Sequence, residues 1–323
     1  MNRIASIAAI SVFALAAGIG SASAAADFPN RPIKWVVPYT PAGTTDVLAR
    51  LSASYLSGKL GQQIVIENKP GGGNNIGTEY VVHSDPDGYT WLLVNPANGI
   101  NTTLYKNLKF NFPKDIQGVA GIVRTPNIME VNPNFPAKTV QEFIDYCKKN
   151  PGKVNMASSG AGTSVHLSGE LFKSMTGCKM VHVPYKGAGP ALTDLMGGQV
   201  DVIFDNLPSS AGFLKAGKLR ALGVTSTKRD SEFPDVPPVS DTVKGYEATA
   251  WFGIGVPKGT PKEVVDKINA AVQDMLKDKG MIEKFKQLGG TPSPGSAADF
   301  QKTIEAETAK WAPVVKASGA IVE

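Results

Sequence analysis

The chain has 323 residues, of which 42% are hydrophobic and 19% charged, with 34 glycines and 23 prolines. This composition excludes disordered, collagen-like and coiled-coil chains, and the length is one at which single hydrophobic cores begin to divide into two. The net charge is only +5, and no block of Lys or Arg stands out, so a nucleic acid is not expected as a partner. The mild positive charge fits an anionic small molecule better.

The first 26 residues have the order of a secretory signal peptide. Asn2 and Arg3 give a short positive start, residues 4–19 are mainly apolar, and small residues follow as far as Ala26. This order predicts export with cleavage after Ala24 or Ala26. The apolar stretch is short for a transmembrane helix, which needs roughly 20 residues. We therefore expect a soluble, periplasmic mature protein whose net charge falls from +5 to +4 with the loss of Arg3.

Strands, glycine loops and helices alternate in two similar stretches of the chain. The first contains a strand at 33–37, a loop at 40–43, a helix from Thr44 to about 58–61, and strands at 64–66 and 90–94. The second contains a strand at 154–157, a loop at 158–162, a helix from 163–164 to Gly177, and a strand at 180–183. Further strands are expected at 200–204 and 219–224, and capping signals at 139–142, 260–263 and 296 mark the starts of further helices.

This alternation predicts an α/β fold with mostly parallel sheets, and the two similar units predict two lobes. We place lobe 1 at 27–124 plus 226–323 and lobe 2 at 125–225. Both cysteines, Cys147 and Cys178, fall in lobe 2. Export permits a disulfide between them, and two buried thiols are the equal alternative.

The two glycine loops are candidate anion sites. The first turn of a helix leaves backbone N–H groups unpaired and carries a partial positive charge. Thr44, Thr45, Ser159, Thr163 and Ser164 add hydroxyl donors. Ligands of open α/β sheets bind beyond the carboxyl ends of the strands, where both loops lie. If two such helix N-termini face each other, we expect them to bind one carboxylate from both sides. The alternative is that both loops are tight turns capped by Thr and Ser, which would give the same sequence pattern.

Other polar and aromatic residues are open to two roles, one in the cleft and one in the scaffold. Asp205 and Asn206 end a strand and point toward the predicted cleft, where Asp205 would bind an amine, hydroxyl or water, or brace a loop. Asp46 lies in the first turn of a helix, which favours a structural role. His166 lies in the first turn of the second loop's helix, with a cleft role and a structural role equally open. The aromatic candidates for contact with the ligand are Tyr39, Trp251 and Phe252.

Enzyme motifs are incomplete. Residues 212–218 begin like a phosphate-binding loop, but Leu219 stands where Ser or Thr should bind magnesium. The three histidines, His83, His166 and His182, form no H-E-x-x-H zinc pair. A hydrolase built on Ser159 and His166 lacks a third orienting residue. We therefore expect no catalytic residue, metal or cofactor.

Short motifs along nearly all the mature chain resemble one family. They include Phe28-Pro29-Asn30-Arg31-Pro32-Ile33, Gly43-Thr44-Thr45-Asp46, Glu67-Asn68-Lys69-Pro70-Gly71, Pro86-Asp87-Gly88-Tyr89, Gly162-Thr163-Ser164, His182-Val183-Pro184-Tyr185-Lys186-Gly187 and Pro257-Lys258-Gly259-Thr260-Pro261. This combination is similar to the Bug, or TctC, proteins, the substrate-binding proteins of tripartite tricarboxylate transporters. The chain departs from the family at Ala42, where a second glycine is usual, and at Pro96 and Asn98.

The resemblance implies a two-lobed periplasmic-binding-protein fold, type II-like, that closes on a small carboxylate in the cleft between its lobes. It implies that the ligand is a di- or tricarboxylate, or an aromatic carboxylate such as terephthalate. The protein, which we expect to be a monomer, would deliver this ligand to the membrane subunits of the transporter. A receptor that presents its ligand to a membrane sensor kinase is the alternative. The predicted ligand-binding residues are Tyr39, Ala42, Gly43, Thr44, Thr45, Asn98, Ser159, Gly160, Thr163, Ser164, His166, Asp205 and Asn206.

Overall fold

A computed structural model describes residues 27–318 and Val322. The predicted signal peptide at 1–26 lies outside these residues. The helices are α1 (Thr44–Leu60), α2 (Asn75–Val82), α3 (Pro96–Leu104), α4 (Phe112–Asp115), α5 (Val140–Lys149), α6 (Ser164–Thr176), α7 (Ala188–Met196), α8 (Leu207–Lys215), α9 (Lys262–Met275), α10 (Lys279–Gln287) and α11 (Ala297–Ser318). No helix in the described ranges is long and apolar enough to cross a membrane.

The strands are β1 (Ile33–Val37), β2 (Ile64–Asn68), β3 (Thr90–Val94), β4 (Ile116–Val131), β5 (Val154–Ser158), β6 (Met180–Pro184), β7 (Val202–Asn206), β8 (Arg220–Val224), β9 (Thr249–Pro257) and β10 (Thr291–Pro292). Their order is β2-β1-β3-β9-β4-β7-β5-β6, with β8 and β10 also paired to β4. The triplets β2-β1-β3 and β6-β5-β7 are parallel. β9 and β4 join these triplets through antiparallel pairs, so the mixed α/β architecture agrees with the prediction.

Strand β4 belongs to both halves of the molecule. Its residues from Ile116 to Pro126 pair with β9, and those from Asn127 to Val131 pair with β7. One 16-residue strand therefore runs from the first half of the sheet into the second. We call the part that contains β1–β3 and β9 the first half, and the part that contains β5–β8 the second half. The predicted lobe boundaries near 124 and 225 stay predictions.

Each half has its own hydrophobic core. In the first half, Trp35 and Trp91 pack edge to face with ring centroids 5.6 Å apart, beneath helices α1, α9 and α10. In the second half, Phe172 packs against Phe204 and Tyr246. Because β4 contributes residues to both cores, it links the two halves of the molecule.

Most of the predicted helix caps are present in the structure. Gly61 and Gly177 end α1 and α6 with φ of 71° and 75°, a left-handed conformation that glycine adopts without steric cost. The hydroxyl of Thr139 accepts a hydrogen bond from the Glu142 N–H, as a cap should. The capping box predicted at 260–263 is wrong, because Thr260 donates its hydroxyl hydrogen to the Pro257 carbonyl and Pro261 is itself the N-cap.

Both cysteines are buried free thiols. Cys147, on α5, belongs to the core of the second half, and so does Cys178. The structure thus has the second of the two arrangements that the sequence left open.

Candidate functional site

A narrow cavity lies between the two halves. Its walls come from the segments that follow the carboxyl ends of β1, β3, β5 and β7, the edge where open α/β sheets bind ligands. The lining residues are Tyr39, Gly43, Thr44, Thr45, Asn95, Ser159, Thr163, Ser164, Ala188, Asn206 and Phe252. None of these residues carries a charged side chain. The cavity is therefore suited to a ligand held by hydroxyl and N–H groups.

The loop before α1 is held by the carboxylate of Asp46. Its oxygens accept hydrogen bonds from the Ala42 N–H at 3.0 Å, from Asn68 Nδ2 at 3.0 Å and from Arg50 Nε at 2.9 Å. Burial alone would raise the pKa of Asp46, but these hydrogen bonds outweigh it and lower the pKa. Asp46 thus has the structural role that the sequence favoured, since it fixes the loop that presents Gly43, Thr44 and Thr45.

The loop before α6 is capped by Thr163. The Thr163 hydroxyl donates to the Gly160 carbonyl at 2.7 Å and accepts from the His166 N–H at 3.2 Å. Its only hydroxyl hydrogen is therefore already used within the loop. Thr163 lines the cavity, but its side chain shapes the loop and has no hydrogen left to donate to a ligand.

Two stacked histidines support the same loop from behind. His166 and His182 lie face to face, with ring centroids 3.9 Å apart. His166 Nδ1 accepts a hydrogen bond from the Gly162 N–H at 3.2 Å. His182 Nε2 lies 2.6 Å from Ser158 Oγ, which also accepts a hydrogen bond from the Gly160 N–H. Burial, and next to it the charge that His166 would carry, lower the pKa of His182 to about 3. His182 is therefore neutral at physiological pH.

Several donors face the cavity with hydrogens to spare. The Ser164 hydroxyl oxygen accepts from Asn206 Nδ2 at 3.1 Å, so its own hydrogen remains available. Within the described part of the chain, the hydroxyls of Thr45 and Ser159 have no protein partner. Asn95 Nδ2 is buried and likewise unpaired among these residues. The first amides of α1 and α6, at residues 44–45 and 164–165, add backbone donors, whereas those of Asp46 and His166 are used by Gly43 and Thr163.

Eight of the predicted binding residues line this cavity, namely Tyr39, Gly43, Thr44, Thr45, Ser159, Thr163, Ser164 and Asn206. Phe252 lines it as well, whereas Trp251 packs against Phe300. Asn95 and Ala188 also line the cavity, although neither was among the predicted binding residues. The asparagine follows the buried strand β3, and that position could have identified it.

The other five predicted residues lie outside the cavity wall. Both side-chain amide atoms of Asn98 are used, since Oδ1 accepts from the Asn95 N–H and Nδ2 donates to Thr78. Ala42 and His166 hold the two loops. Asp205 is 1% exposed and lies behind Asn206. Gly160 lines a neighbouring cavity instead.

That second cavity has a volume of about 250 Å³ and shares Tyr39 and Ser159 with the first. Its other walls are the glycine loop at 71–73, Asn74, Tyr105, and the segments 160–161 and 184–186. Lys186 is exposed there and makes no ion pair within the described part of the chain. The two cavities together provide a neutral inner compartment and an outer one with a positive charge.

The two halves also touch each other directly. The Thr40 N–H donates to the Lys186 carbonyl at 3.2 Å. A Cβ atom at Gly187 would overlap the Thr40 hydroxyl, and one at Gly162 would overlap Asn101 Oδ1. Glycine is required at these two contacts for the halves to approach this closely.

Fold and site together define a two-lobed solute-binding protein with its cleft between the lobes. Among the described residues, no group of His, Cys, Asp and Glu side chains could hold a metal ion. Residues 48–320 match the model of the tripartite tricarboxylate transporter family receptor, TctC, and the chain belongs to this family. The family is one of receptors rather than enzymes, so the hydrolase alternative falls away.

Relatives and solved structures agree with this assignment. Protein BugT of Bordetella pertussis is 34% identical over 325 residues, which cover 99% of each chain. The structure of Rpa4515 from R. palustris with adipate has a TM-score of 0.89 at 39% identity and covers 92% of this chain and 100% of that one. MatC from Rhodopseudomonas palustris with bound malate has a TM-score of 0.85 at 31% identity, covering 89% and 100%.

Proposed function

We propose that this protein is exported to the periplasm, captures a small carboxylate between its two halves as a monomer, and delivers it to the membrane subunits of a tripartite tricarboxylate transporter. The observation that carries the proposal is the cavity itself. Two helix N-termini from opposite halves, with the hydroxyls of Thr45, Ser159 and Ser164, face one small uncharged compartment. Such an arrangement binds an anion through N–H and O–H donors.

In this proposal one carboxylate of the ligand binds at the inner cavity, and the body of the ligand extends past Tyr39 and Ser159 toward the outer one. Because Lys186 lies at the outer cavity, a ligand with a second negative charge at its far end is favoured. The adipate and malate in the solved relatives are acids of this kind. We therefore favour a dicarboxylate over a monocarboxylate, with terephthalate as the aromatic candidate.

Closure supplies the signal for delivery. A ligand that contacts both halves binds the closed arrangement better than an open one, so it shifts the population toward closure. The transporter then needs only to recognise the closed form.

The test is thermal unfolding of the mature protein with citrate, C4–C6 dicarboxylates, acidic amino acids, benzoate, terephthalate and protocatechuate, at fixed pH and ionic strength. A ligand at about a hundred times its Kd adds about 2.7 kcal/mol and raises Tm by several degrees. We expect a selective rise with a dicarboxylate. Absence of any rise, on protein freed of retained ligand, would overturn the carboxylate assignment.

Delivery is tested separately. Deletion of the gene for this protein should abolish uptake of the radiolabelled ligand. The genes for metabolism of that ligand should still be induced when its external concentration is high. Loss of induction with normal uptake would point instead to a sensing receptor.

A further inference from the structure

Asp205 and Glu130 form a buried acidic pair behind the cavity. Asp205 lies at the end of β7 and Glu130 near the end of β4, and they are 1% and 0% exposed. A single hydroxyl bridges them, because Ser210 Oγ lies 2.5 Å from Glu130 Oε1 and 3.0 Å from Asp205 Oδ2. No salt bridge to either carboxyl exists within the described part of the chain.

One of the two carboxyl groups carries a proton. Ser210 has one hydroxyl hydrogen and can donate to only one of the two carboxyl groups. The other contact needs a hydrogen from the carboxyl itself. Burial, and then the charge of Asp205, raise the pKa of Glu130 well above its usual range. Glu130 is therefore the protonated partner that donates to Ser210, and Ser210 donates to the Asp205 carboxylate.

Burial raises the pKa of Asp205 to about 6, although hydrogen bonds from Ser209 and Ser210 oppose this, so the carboxyl is mainly ionised at pH 7. The carboxylate also sets the direction of hydrogen bonds across the cleft. Ser209 donates its hydroxyl hydrogen to Asp205 Oδ2, which is the charged acceptor. Ser209 Oγ lies 2.8 Å from Thr44 Oγ1, and the Ser209 N–H donates to the same oxygen at 3.1 Å. The hydrogen of Ser209 goes to the charged Asp205 rather than to the Asn206 carbonyl, which lies 2.9 Å from Ser209 Oγ. The Thr44 hydroxyl therefore donates to Ser209 Oγ or to the Asn206 carbonyl at 3.3 Å, and both acceptors lie in the second half. Thr44 belongs to the other half of the molecule, so this contact spans the closed cleft.

We propose that Thr44 and Ser209 form a latch that holds the two halves closed, and that Asp205, braced by Ser210 and Glu130, orients it. This inference rests on the proposed function, because the latch acts on capture of the ligand. Asp205, Ser209, Ser210 and Glu130 are positioning residues that do not touch the ligand. Thr44 lines the cavity, but its hydroxyl hydrogen is directed at the opposite half rather than at the ligand.

The test is a double-mutant cycle on affinity for adipate and malate, measured by titration calorimetry. Ser209→Ala and Thr44→Val should each weaken binding about tenfold, mainly through faster dissociation. The double variant should lose little more than either single one, because both remove the same contact. Thr44→Ser, which keeps the hydroxyl, should restore most of the affinity, and Ser84→Ala serves as an exposed serine control.

The brace is tested at Glu130. Glu130→Gln puts an N–H donor where the protonated acid has its O–H, and should retain most of the affinity that Glu130→Ala loses. Thermal unfolding without ligand checks that each variant is folded. Unchanged affinity in Ser209→Ala, additive losses in the double variant, or no rescue by Thr44→Ser would overturn the latch.

Failure of the latch is distinguishable from failure of the proposed function. If the wild-type protein binds carboxylates and the variants bind equally well, only the latch is wrong. If the wild-type protein binds none, small-angle X-ray scattering on the ligand-free proteins still tests closure. The latch then predicts that the ligand-free wild type is closed and that Ser209→Ala has a larger radius of gyration, so an open wild type or equal radii would overturn it.

Discussion

Asn206 donates a hydrogen bond from Nδ2 to Ser164 Oγ at 3.1 Å, and through it the end of β7 orients the first turn of α6. The same Nδ2 donates to Asn127 Oδ1 at 2.8 Å, so the amide is fixed from two sides. Because the serine oxygen accepts from Asn206, its hydrogen is directed elsewhere, and the cavity lies beside it. Ser164 is thus a hydroxyl donor whose direction is set before any ligand arrives.

Ser164→Ala should weaken carboxylate binding by roughly 10- to 100-fold, since a hydrogen bond to a charged group is worth about 1.5–3 kcal/mol. Titration calorimetry with the acid that stabilises the wild type checks this. Ser226→Ala, at an exposed serine whose hydroxyl bonds to the Lys228 carbonyl, is the matched control. Equal affinity in both variants would show that Ser164 gives no hydrogen to the ligand.

Lys186→Met should reduce affinity for a dicarboxylate several-fold and leave a monocarboxylate of the same length unaffected. Lys186 lines the outer cavity, and its hydrogen bond with Thr40 in the other half uses the backbone carbonyl, which the substitution keeps. The readout is the ratio of the two dissociation constants at low ionic strength, where exposed charges interact most strongly. Lys153→Met, at another exposed lysine of the second half, controls for net charge. A parallel loss for both acids would argue against a role at the far end of the ligand.

His182 should make the protein less stable in acid. Its pKa is lowered from 6.5 to about 3 in the folded state, so the unfolded chain takes up a proton below pH 6.5 that the folded state excludes. The stabilisation is complete above pH 6.5 and is lost as the pH falls toward 3, by at most about 1.4 kcal/mol per pH unit.

The measurement is the free energy of unfolding of wild type and His182→Gln between pH 7 and 4, by urea titration. The difference between the two proteins should shrink as the pH falls. His83→Gln, at an exposed histidine, provides the comparison. A difference that stays constant with pH would mean that His182 is not kept neutral by the fold.

Ala42→Gly should stabilise the protein slightly. Ala42 has a φ of 67°, a left-handed conformation that costs a non-glycine residue about 1–2 kcal/mol. The greater freedom of glycine in the unfolded chain offsets about 0.4–1 kcal/mol of this. We expect a net gain of up to about 1.6 kcal/mol, which raises Tm by about 2–3 °C at most for a chain of this size.

Ala216→Gly, at an exposed position with a φ of −83°, should not share this gain. Differential scanning calorimetry compares the two variants. Equal shifts in Tm would mean that the backbone at Ala42 carries no strain.

Local sequence signals predicted much of this protein. The glycine and threonine residues around 43–45 and 160–164 identified both cavity loops, because helix starts and turns depend on backbone sterics and capping over a few residues. The same reasoning located Asp46 in a structural role. The capping box predicted at 260–263 is wrong, because the Thr260 hydroxyl donates to the carbonyl of Pro257, earlier in the chain, instead of capping the helix.

Tertiary structure alone decided which hydroxyl hydrogens are available to a ligand. Three hydroxyl residues at helix starts show this, namely Thr44, Thr163 and Ser164. Thr44 donates its hydrogen across the cleft, and Thr163 donates within its own loop. Of the three, only Ser164 keeps a hydroxyl hydrogen for the ligand. The pairing of Glu130 with Asp205 joins residues 75 positions apart on neighbouring strands. Local propensity fixes where each element begins and ends, but the partner of a buried polar group is set by long-range packing, and that packing determines the chemistry of the site.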